Sequence, residues 1–302
     1  MISKSFDKRM RKLYDNALRI SLEDVGRIVI MSDCHRADGR YNDNFAANEK
    51  ITFRALKYYY EMGYTYIELG DGDELWENKK YDEIINVYSN IFWMLSMFYQ
   101  RGRLYMLYGN HDIVKRRKRF CDKYLQSYYC ENEREDLPLM ENIKVHEALV
   151  ISMNSRRWNY NTSNITELLL VHGHQGDFLN DRIWKVTRWL VRYVWRPLEL
   201  VGFSNPGTRP VNNYKNRGKK GKVEEWSEYS RVPVIAGHTH RPSLPDNGGT
   251  YYNCGSLVHP RCITAIELER NMVRLVKWCT EVEWNGVLTI KRSVIDEKTI
   301  IS

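Results

Sequence analysis

Five short, mainly apolar runs in this chain each lead into residues that can bind a metal ion. Runs of this length that end at Ser, Gly or His are typical of buried strands. In an α/β sheet, polar residues at the carboxyl ends of strands face the crevice where ligands bind. The pattern therefore predicts an α/β fold whose distant segments share one site. The runs cover 27–31, 66–69, 104–108, 168–171 and 232–236, and they lead into Asp33 and His35, Asp71, Asn110 and His111, His172, and His238 and His240.

The residue types at these ends favour one class of metal. Asp, His and Asn side chains, with no cluster of cysteines beside them, suit manganese, iron or zinc. A single histidine at a strand end is usually a surface or hydrogen-bonding residue. Five histidines at matching ends favour a metal site instead, and they are His35, His111, His172, His238 and His240.

The ordered motifs resemble those of the calcineurin-like metallophosphoesterases. They span residues 33–240 and are Asp33-Cys34-His35, Gly70-Asp71, Gly109-Asn110-His111-Asp112, His172-Gly173-His174 and Gly237-His238-Thr239-His240. The resemblance implies a four-layer α/β/β/α sandwich of two mixed β-sheets flanked by helices. It also implies two divalent metal ions, with Mn²⁺ as the first candidate and Fe or Zn as alternatives. A hydroxide bridging the metals would attack the phosphate ester.

The same resemblance implies a role for each ligand position. One metal would be held by Asp33, His35, Asp71 and His240, and the other by Asp71, Asn110, His172 and His238. Asp71 would be shared. His111 would act as general acid or stabilise charge on the phosphoryl oxygens, and Asp112 would orient His111.

Three further residues near these motifs have two interpretations each. His174 either contacts the metal ligands without binding a metal itself, or has only a structural role. Arg36 and Arg241 each follow a ligand pair directly, where an arginine can bind substrate phosphate in a fork. Ion pairing at the surface is the competing interpretation for both arginines.

The whole chain, 1–302, is expected to form one domain. Helical spacing of apolar residues predicts helices over 4–18, 46–62 and 81–99. Strands are expected again at 144–153, 250–253, 262–268, 272–278 and 284–292. Helices alternating with strands early, and strands dominating late, favour two packed sheets.

The segment 178–231 is a basic, Trp-rich insert near the predicted site. Residues 178–223 contain eleven basic and two acidic residues, a net charge of +9, so the rest of the protein is close to neutral although the whole chain carries +8. A helix is expected over 181–200, with Arg188 and Arg192 on one stripe as candidate substrate contacts. This helix is interpreted as a packed cap, as a lid over an anionic substrate, or as an interfacial helix on anionic lipid. Nucleic acid is a weaker fourth option.

Six cysteines are spaced singly, which predicts free thiols in a reducing compartment. The N-terminus has neither a secretory signal nor an apolar span. The expected location is the cytoplasm, with peripheral membrane contact through 178–223 as an option.

The expected activity is hydrolysis of a phosphate monoester, diester or pyrophosphate in a small-molecule, lipid-linked or protein substrate. The insert and the Gly237–Pro242 block look like those of UDP-2,3-diacylglucosamine pyrophosphatase, but that group has arginine at the position of His111. Ser/Thr phosphatases carry Gly-Asp-x-Val-Asp-Arg-Gly and Gly-Asn-His-Glu, and the lack of both in this chain counts against that branch. It does not count against every phosphoprotein activity, so phosphoprotein phosphatase is kept as a further alternative. A metal-binding interaction module without catalysis is the non-enzymatic alternative, and the complete ligand set argues against it.

Overall fold

Helices and strands alternate in the N-terminal part of the computed structural model, which describes residues 2–40, 43–130, 133–153, 167–176, 220–246, 248–270 and 272–300. The elements are α1 (Lys4–Asn16), β1 (Leu18–Ser21), α2 (Leu22–Val25), β2 (Arg27–Met31), α3 (Glu49–Glu61), β3 (Thr65–Leu69), α4 (Tyr81–Val87), α5 (Ser89–Gln100), β4 (Leu104–Leu107) and α6 (Lys118–Tyr124), with 3-10 turns at Ala46–Asn48 and Ile113–Arg116.

Strands dominate the later part of the described chain. They are β5 (Ser127–Cys130), β6 (Glu135–Pro138), β7 (Val145–His146), β8 (Ala148–Ser152), β9 (Glu167–Val171), β10 (Val234–Ala236), β11 (Tyr251–Asn253), β12 (Cys262–Glu269), β13 (Met272–Val282) and β14 (Leu288–Thr299), with one helix, α7 (Lys222–Ser230), before β10.

Two mixed sheets form the centre of the fold. The seven-stranded sheet has the order β14-β13-β12-β2-β3-β4-β7, and the five-stranded sheet has the order β1-β8-β9-β10-β11. Within the first sheet β2, β3 and β4 are parallel, and within the second β9, β10 and β11 are parallel. The carboxyl ends of each parallel set therefore lie at one edge of its sheet.

Strand β2 is buried on both faces, which explains its continuous apolar sequence. Ile28 and Ile30 face the core between the two sheets, because alternate side chains point to opposite faces of a strand. Val29 and Met31 face a second core that packs against helices α3 and α5. The seven-stranded sheet is thus covered by the other sheet on one face and by helices on the other.

The five-stranded sheet is covered in the same way. Leu168 and Leu170 of β9 face the core between the sheets, whereas Leu169 faces a core formed with helices α1 and α7. The Trp226 indole of α7 donates a hydrogen bond to Asp7 of α1 at 2.9 Å, which ties these two helices together. The layers are helix, sheet, sheet and helix, so the predicted α/β/β/α sandwich is confirmed.

Several predicted boundaries differ from the structure. The helix predicted over 4–18 ends at Asn16, and the helix predicted over 81–99 is two helices that meet at Tyr88. The strand predicted over 144–153 is likewise two strands, β7 and β8. The helix predicted over 181–200, including Arg188 and Arg192, lies outside the described residues, as does most of the 178–231 insert.

The prediction that all six cysteines are free thiols is wrong for one pair. Cys262 and Cys279 lie directly opposite each other on β12 and β13 and are joined by a disulfide. Single spacing in the sequence gave no sign of this pair, because strand register alone brings the two residues together. Cys34, Cys121 and Cys254 are buried free thiols. Among the described residues, none of the helices has the length and apolar character needed to cross a bilayer.

Candidate metal centre

The site forms where the carboxyl-terminal edges of the two sheets meet. Loops after β2, β3 and β4 come from one sheet, and loops after β9 and β10 come from the other. Two hydrogen bonds join the edges: the His238 backbone N–H donates to Asp33 Oδ2 at 2.8 Å, and His172 Nδ1 lies 2.9 Å from the Leu69 carbonyl oxygen. The five polar strand ends predicted to share one site are therefore brought together.

The loops hold five of the predicted ligands in an uncommon backbone conformation. Left-handed φ angles are unusual for residues other than glycine and concentrate at functional sites. They occur here at Asp33 (57°), His35 (50°), Asp71 (49°), His238 (63°) and His240 (56°). Backbone hydrogen bonds from Asp33 to Gly70 and from His35 to Asp71, at 3.1 and 2.9 Å, fix the first two loops against each other.

One group of candidate ligands consists of Asp33, His35 and His240. His240 Nε2 lies 3.0 Å and His35 Nε2 lies 3.7 Å from Asp33 Oδ1. Asp33 is fully buried, and its other oxygen accepts hydrogen bonds from Ser32 Oγ at 2.6 Å and from the His238 N–H. These contacts aim Oδ1 at the two histidines.

A second group consists of Asp71, His172 and His238. His172 Nε2 lies 3.0 Å from Asp71 Oδ2, while the opposite ring nitrogen donates to the Leu69 carbonyl. That contact keeps a proton on Nδ1, so Nε2, which faces Asp71, is the ring nitrogen that can bind a cation. A ring nitrogen facing a carboxylate fits a position where a cation binds between them.

Asp71 also joins a third group, with His35 and His111, so it belongs to two of the three groups. Its Oδ1 accepts the His111 backbone N–H at 2.8 Å, and its Oδ2 lies 3.8 Å from His35 Nε2. Asn110 is adjacent and 1% exposed. Asp71 therefore lies close to candidate ligands from both sheets.

Unpaired polar atoms test whether the site fits a metal centre. Within the described residues, the buried polar atoms without a hydrogen-bond partner include Nε2 of His35, Nε2 of His172 and Oδ1 of Asn110. Such atoms are costly unless something binds them. All three belong to predicted ligands, so the residues fit divalent cations held by nitrogen and oxygen donors.

Glycines beside the ligands leave room for ligand side chains. A Cβ at Gly109 would overlap the Asp71 carboxylate, and a Cβ at Gly70 would lie 2.7 Å from His172 Nδ1. Both contacts are closer than packed atoms allow. A larger residue at either position would therefore displace the side chain of a candidate ligand.

The surroundings of His111 include a carboxylate that the sequence motifs did not reveal. Glu74 Oε2 lies 2.7 Å from His111 Nδ1 and 3.0 Å from His35 Nδ1. Trp76 stacks on the His111 ring with centroids 4.2 Å apart. Glu74 follows the Gly70-Asp71 motif by three residues, and this spacing was the only available signal.

Asp112 does not have the role predicted for it. Its Oδ1 accepts the Gly109 N–H at 2.7 Å and its Oδ2 accepts the Gly72 N–H at 3.1 Å. The carboxylate beside the His111 ring is that of Glu74. Asp112 thus fixes the two loops that carry Asp71 and His111, because its position after the 109–111 turn directs it to backbone donors.

Arg36 is buried in an ionic network beneath the site. Its guanidinium, 1% exposed, contacts Glu68 at 2.8 and 3.0 Å and Asp73 at 2.7 Å. Lys115 Nζ lies 2.5 Å from Asp73 and 2.8 Å from Asp112. These contacts turn Arg36 away from the crevice, which argues against the substrate contact predicted from the sequence.

The remaining predicted residues are placed as follows. His174 is buried, with its ring centroid 5.5 Å from that of His172, but it belongs to none of the three ligand groups. Arg241 is half-buried directly after His240. The amide of Asn253, at the end of β11, donates to the Gly237 carbonyl at 2.8 Å and supports the turn before His238.

Charge interactions dominate the ionisation of the site. Burial would raise the pKa of Asp33, but His240 and His172 outweigh it and hold that pKa well below its usual range. Burial would lower the pKa of His172, but Asp71 and Asp33 raise it to about 9. Without metal the histidine therefore retains a proton, which a cation would have to displace.

Family comparison agrees with this geometry. The sequence model of the calcineurin-like phosphoesterases matches residues 26–242, which include every candidate ligand. The chain belongs to the calcineurin-like phosphoesterase family. The predicted family is confirmed, and membership supports phosphoesterase activity in general and the binding of divalent metals.

Solved structures similar to this family member include vacuolar protein sorting 29 from Cryptosporidium parvum, at 12% identity and a TM-score of 0.36, covering 90% of this chain and 97% of that one. Vps29 from Chaetomium thermophilum is similar at 10% identity and a TM-score of 0.37, covering 91% and 98%. Likenesses this weak carry no argument about function. No curated protein sequence matches the chain.

Proposed function

We propose that the protein is a phosphohydrolase that depends on a dinuclear metal centre. The observation that carries the proposal is the position of Asp71, which shares one ligand group with His172 and His238 and another with His35 and His111. A shared carboxylate between two sets of donors is the arrangement that holds paired cations.

The cations would supply Lewis acidity and lower the pKa of water so that it can attack phosphorus, with manganese as the first candidate and iron or zinc as alternatives. Asp33, His35, Asp71 and His240 would hold one ion, and Asp71, Asn110, His172 and His238 the other.

His111 would act on the leaving group. Its side chain is 15% exposed and places a ring nitrogen within 4.8 Å of donor atoms of His35 and Asp71. Burial would lower the pKa of His111, but Glu74 and Asp71 raise it above its ordinary value, which favours the protonated ring that a general acid needs. Protonation of the departing oxygen follows from this placement. Trp76 restricts rotation of the ring by stacking on it.

The test combines metal analysis with hydrolysis. Protein stripped with chelator and reloaded with manganese is assayed on p-nitrophenyl phosphate, bis(p-nitrophenyl) phosphate and inorganic pyrophosphate. Asp71→Asn is expected to lose both the metal and the activity. Glu267→Gln is the matched control, because Glu267 is an equally buried carboxylate that binds Tyr59 and Arg292 instead.

Metal-loaded wild-type protein that hydrolyses none of the three compounds would refute the proposal. Retention of about two ions per chain by Asp71→Asn would refute its role as the shared ligand.

A further inference from the structure

The turn between β13 and β14 carries an unusually exposed apolar surface. Trp284 is 97% exposed, and Val282, Val287 and Leu288 are 51 to 69% exposed. We call residues 282–288 the hairpin tip. Large apolar side chains exposed together mark interaction sites.

The hairpin tip projects beyond the rest of its sheet. Cys279 is the last residue of β13 that pairs with β12, whereas Glu281 and Val282 still pair with Thr289 and Leu288 of β14. With the turn that follows, the projection is about 10 Å at the usual rise per strand residue. A narrow projection that carries four exposed apolar side chains differs from a flat or grooved surface.

The projection lies on the same edge of the seven-stranded sheet as the candidate metal centre. Strand β12 is antiparallel to both β2 and β13, so β13 ends at the edge where β2 leads into Asp33 and His35. Two strand spacings, about 10 Å, separate β13 from β2. The hairpin tip therefore projects from the same edge of the sheet as the metal centre.

One loop connects the hairpin with the metal centre. The Arg261 carbonyl accepts the Thr280 N–H at 3.2 Å, and His259 Nε2 lies 3.1 Å from the His240 carbonyl oxygen. At the base of the tip Lys291 lies 3.5 Å from Glu283 and 3.9 Å from Glu281, and residues 284–290 contain no charge. The turn itself is thus uncharged, and the two glutamates and one lysine leave its base slightly acidic.

We propose that the hairpin tip inserts into the surface of a zwitterionic lipid bilayer and holds the metal centre against it. Tryptophan prefers the headgroup region, because its ring is apolar while its N–H remains hydrogen-bonded. A bilayer surrounds an inserted projection on all sides, whereas a protein groove covers one face. The tip contains no basic residue and therefore gives no preference for anionic lipid.

A substrate class follows, and this step rests on the proposed phosphohydrolase function. With the tip inserted, the metal centre faces phosphate groups at the bilayer surface. The substrate is then a phosphate ester whose apolar part stays in the membrane.

The experiment measures flotation of the full chain with phosphatidylcholine vesicles. Wild-type protein is expected to bind, and Trp284→Ala to bind at least tenfold more weakly. Trp93→Ala is the matched control, since Trp93 is a 45% exposed tryptophan on α5, outside the hairpin, and should bind as wild type does. Brominated phosphatidylcholine should quench the fluorescence of wild type and not that of Trp284→Ala. Trp284→Lys provides a second, more disruptive substitution at the same exposed position.

Hydrolysis assays on soluble and vesicle-bound substrates separate the docking proposal from the proposed phosphohydrolase function. Trp284→Ala should leave hydrolysis of p-nitrophenyl phosphate unchanged and reduce hydrolysis of phosphatidic acid in phosphatidylcholine vesicles. Absence of all hydrolysis by wild type, with vesicle binding intact, would refute the activity and the substrate class but not the docking.

Other outcomes would overturn the docking. These are equal binding by wild type and Trp284→Ala, binding only to anionic vesicles, or no binding at all. Self-association that Trp284→Ala abolishes, without vesicle binding, would assign the tip to a protein partner instead.

Discussion

Removal of the Lys115 ammonium should weaken both the fold and the metal centre. Lys115 is fully buried between Asp73 and Asp112, and Asp112 in turn holds the Gly72 and Gly109 N–H groups. Lys115→Met keeps a long apolar side chain and removes only the charge. Both loops that carry Asp71 and Asn110 then lose an anchor.

The loss of stability expected for Lys115→Met depends on which carboxylate loses its only cation. Asp73 keeps the Arg36 guanidinium at 2.7 Å, so Asp112 is the group that loses its cation. Burial already raises the pKa of Asp112 although Lys115 opposes it, and the variant should bind a proton there. Breaking a buried ion pair on one side costs about 3–5 kcal/mol, and we expect about 3 kcal/mol here because Asp73 stays paired. That corresponds to a fall of roughly 6 °C in Tm.

The assay is denaturant unfolding of metal-free protein, with manganese affinity measured by calorimetry. The double variant Asp112→Asn/Lys115→Met should be more stable than the sum of the single changes predicts, by about 1 kcal/mol or more. A loss below about 1 kcal/mol for Lys115→Met, or additive single changes, would refute the reasoning.

His111→Ala should lower kcat by about 10²–10⁴-fold while metal content by mass spectrometry stays unchanged, and loss of metal would make it a ligand. Glu74→Gln should lower kcat or manganese affinity by about 10–100-fold, since it contacts both His111 and His35; an unchanged enzyme would exclude that role. Gly109→Ala should prevent metal loading, because its Cβ would displace the Asp71 carboxylate, and normal metal content would contradict this. The raised pKa of His172, about 9, adds stability to metal-free protein that is fully present below about pH 6.5 and lost as pH rises through 9. Denaturation at pH 6.5 and 9 measures it, and His172→Gln should lack this part of the pH dependence.

Much of the fold could be predicted from the sequence because it depends on local pattern. Continuous apolar runs indicated strands buried on both faces, and Ile28 and Val29 of β2 do face different cores. The five strand ends that carry ligand residue types also come together. Boundaries were less predictable, since Tyr88 divides one apolar helical pattern into α4 and α5.

Contacts within the site were harder to predict, because they depend on side-chain direction. Arg36 adjoins a ligand in sequence but is directed to Glu68 beneath the site. Asp112 adjoins His111 but binds backbone donors, while the partner of His111 is Glu74. Neighbours in sequence point to different sides of an extended or turning chain, so adjacency is a weak guide to contact.

The sequence by itself determined the class of fold, the family and the residues that can bind metal, because these follow from residue types in a fixed order. Only the tertiary structure decided the Cys262–Cys279 pair, the position of Glu74 and the projection of Trp284. Each of these depends on strand register or loop direction, and both are set by packing between segments far apart in the chain.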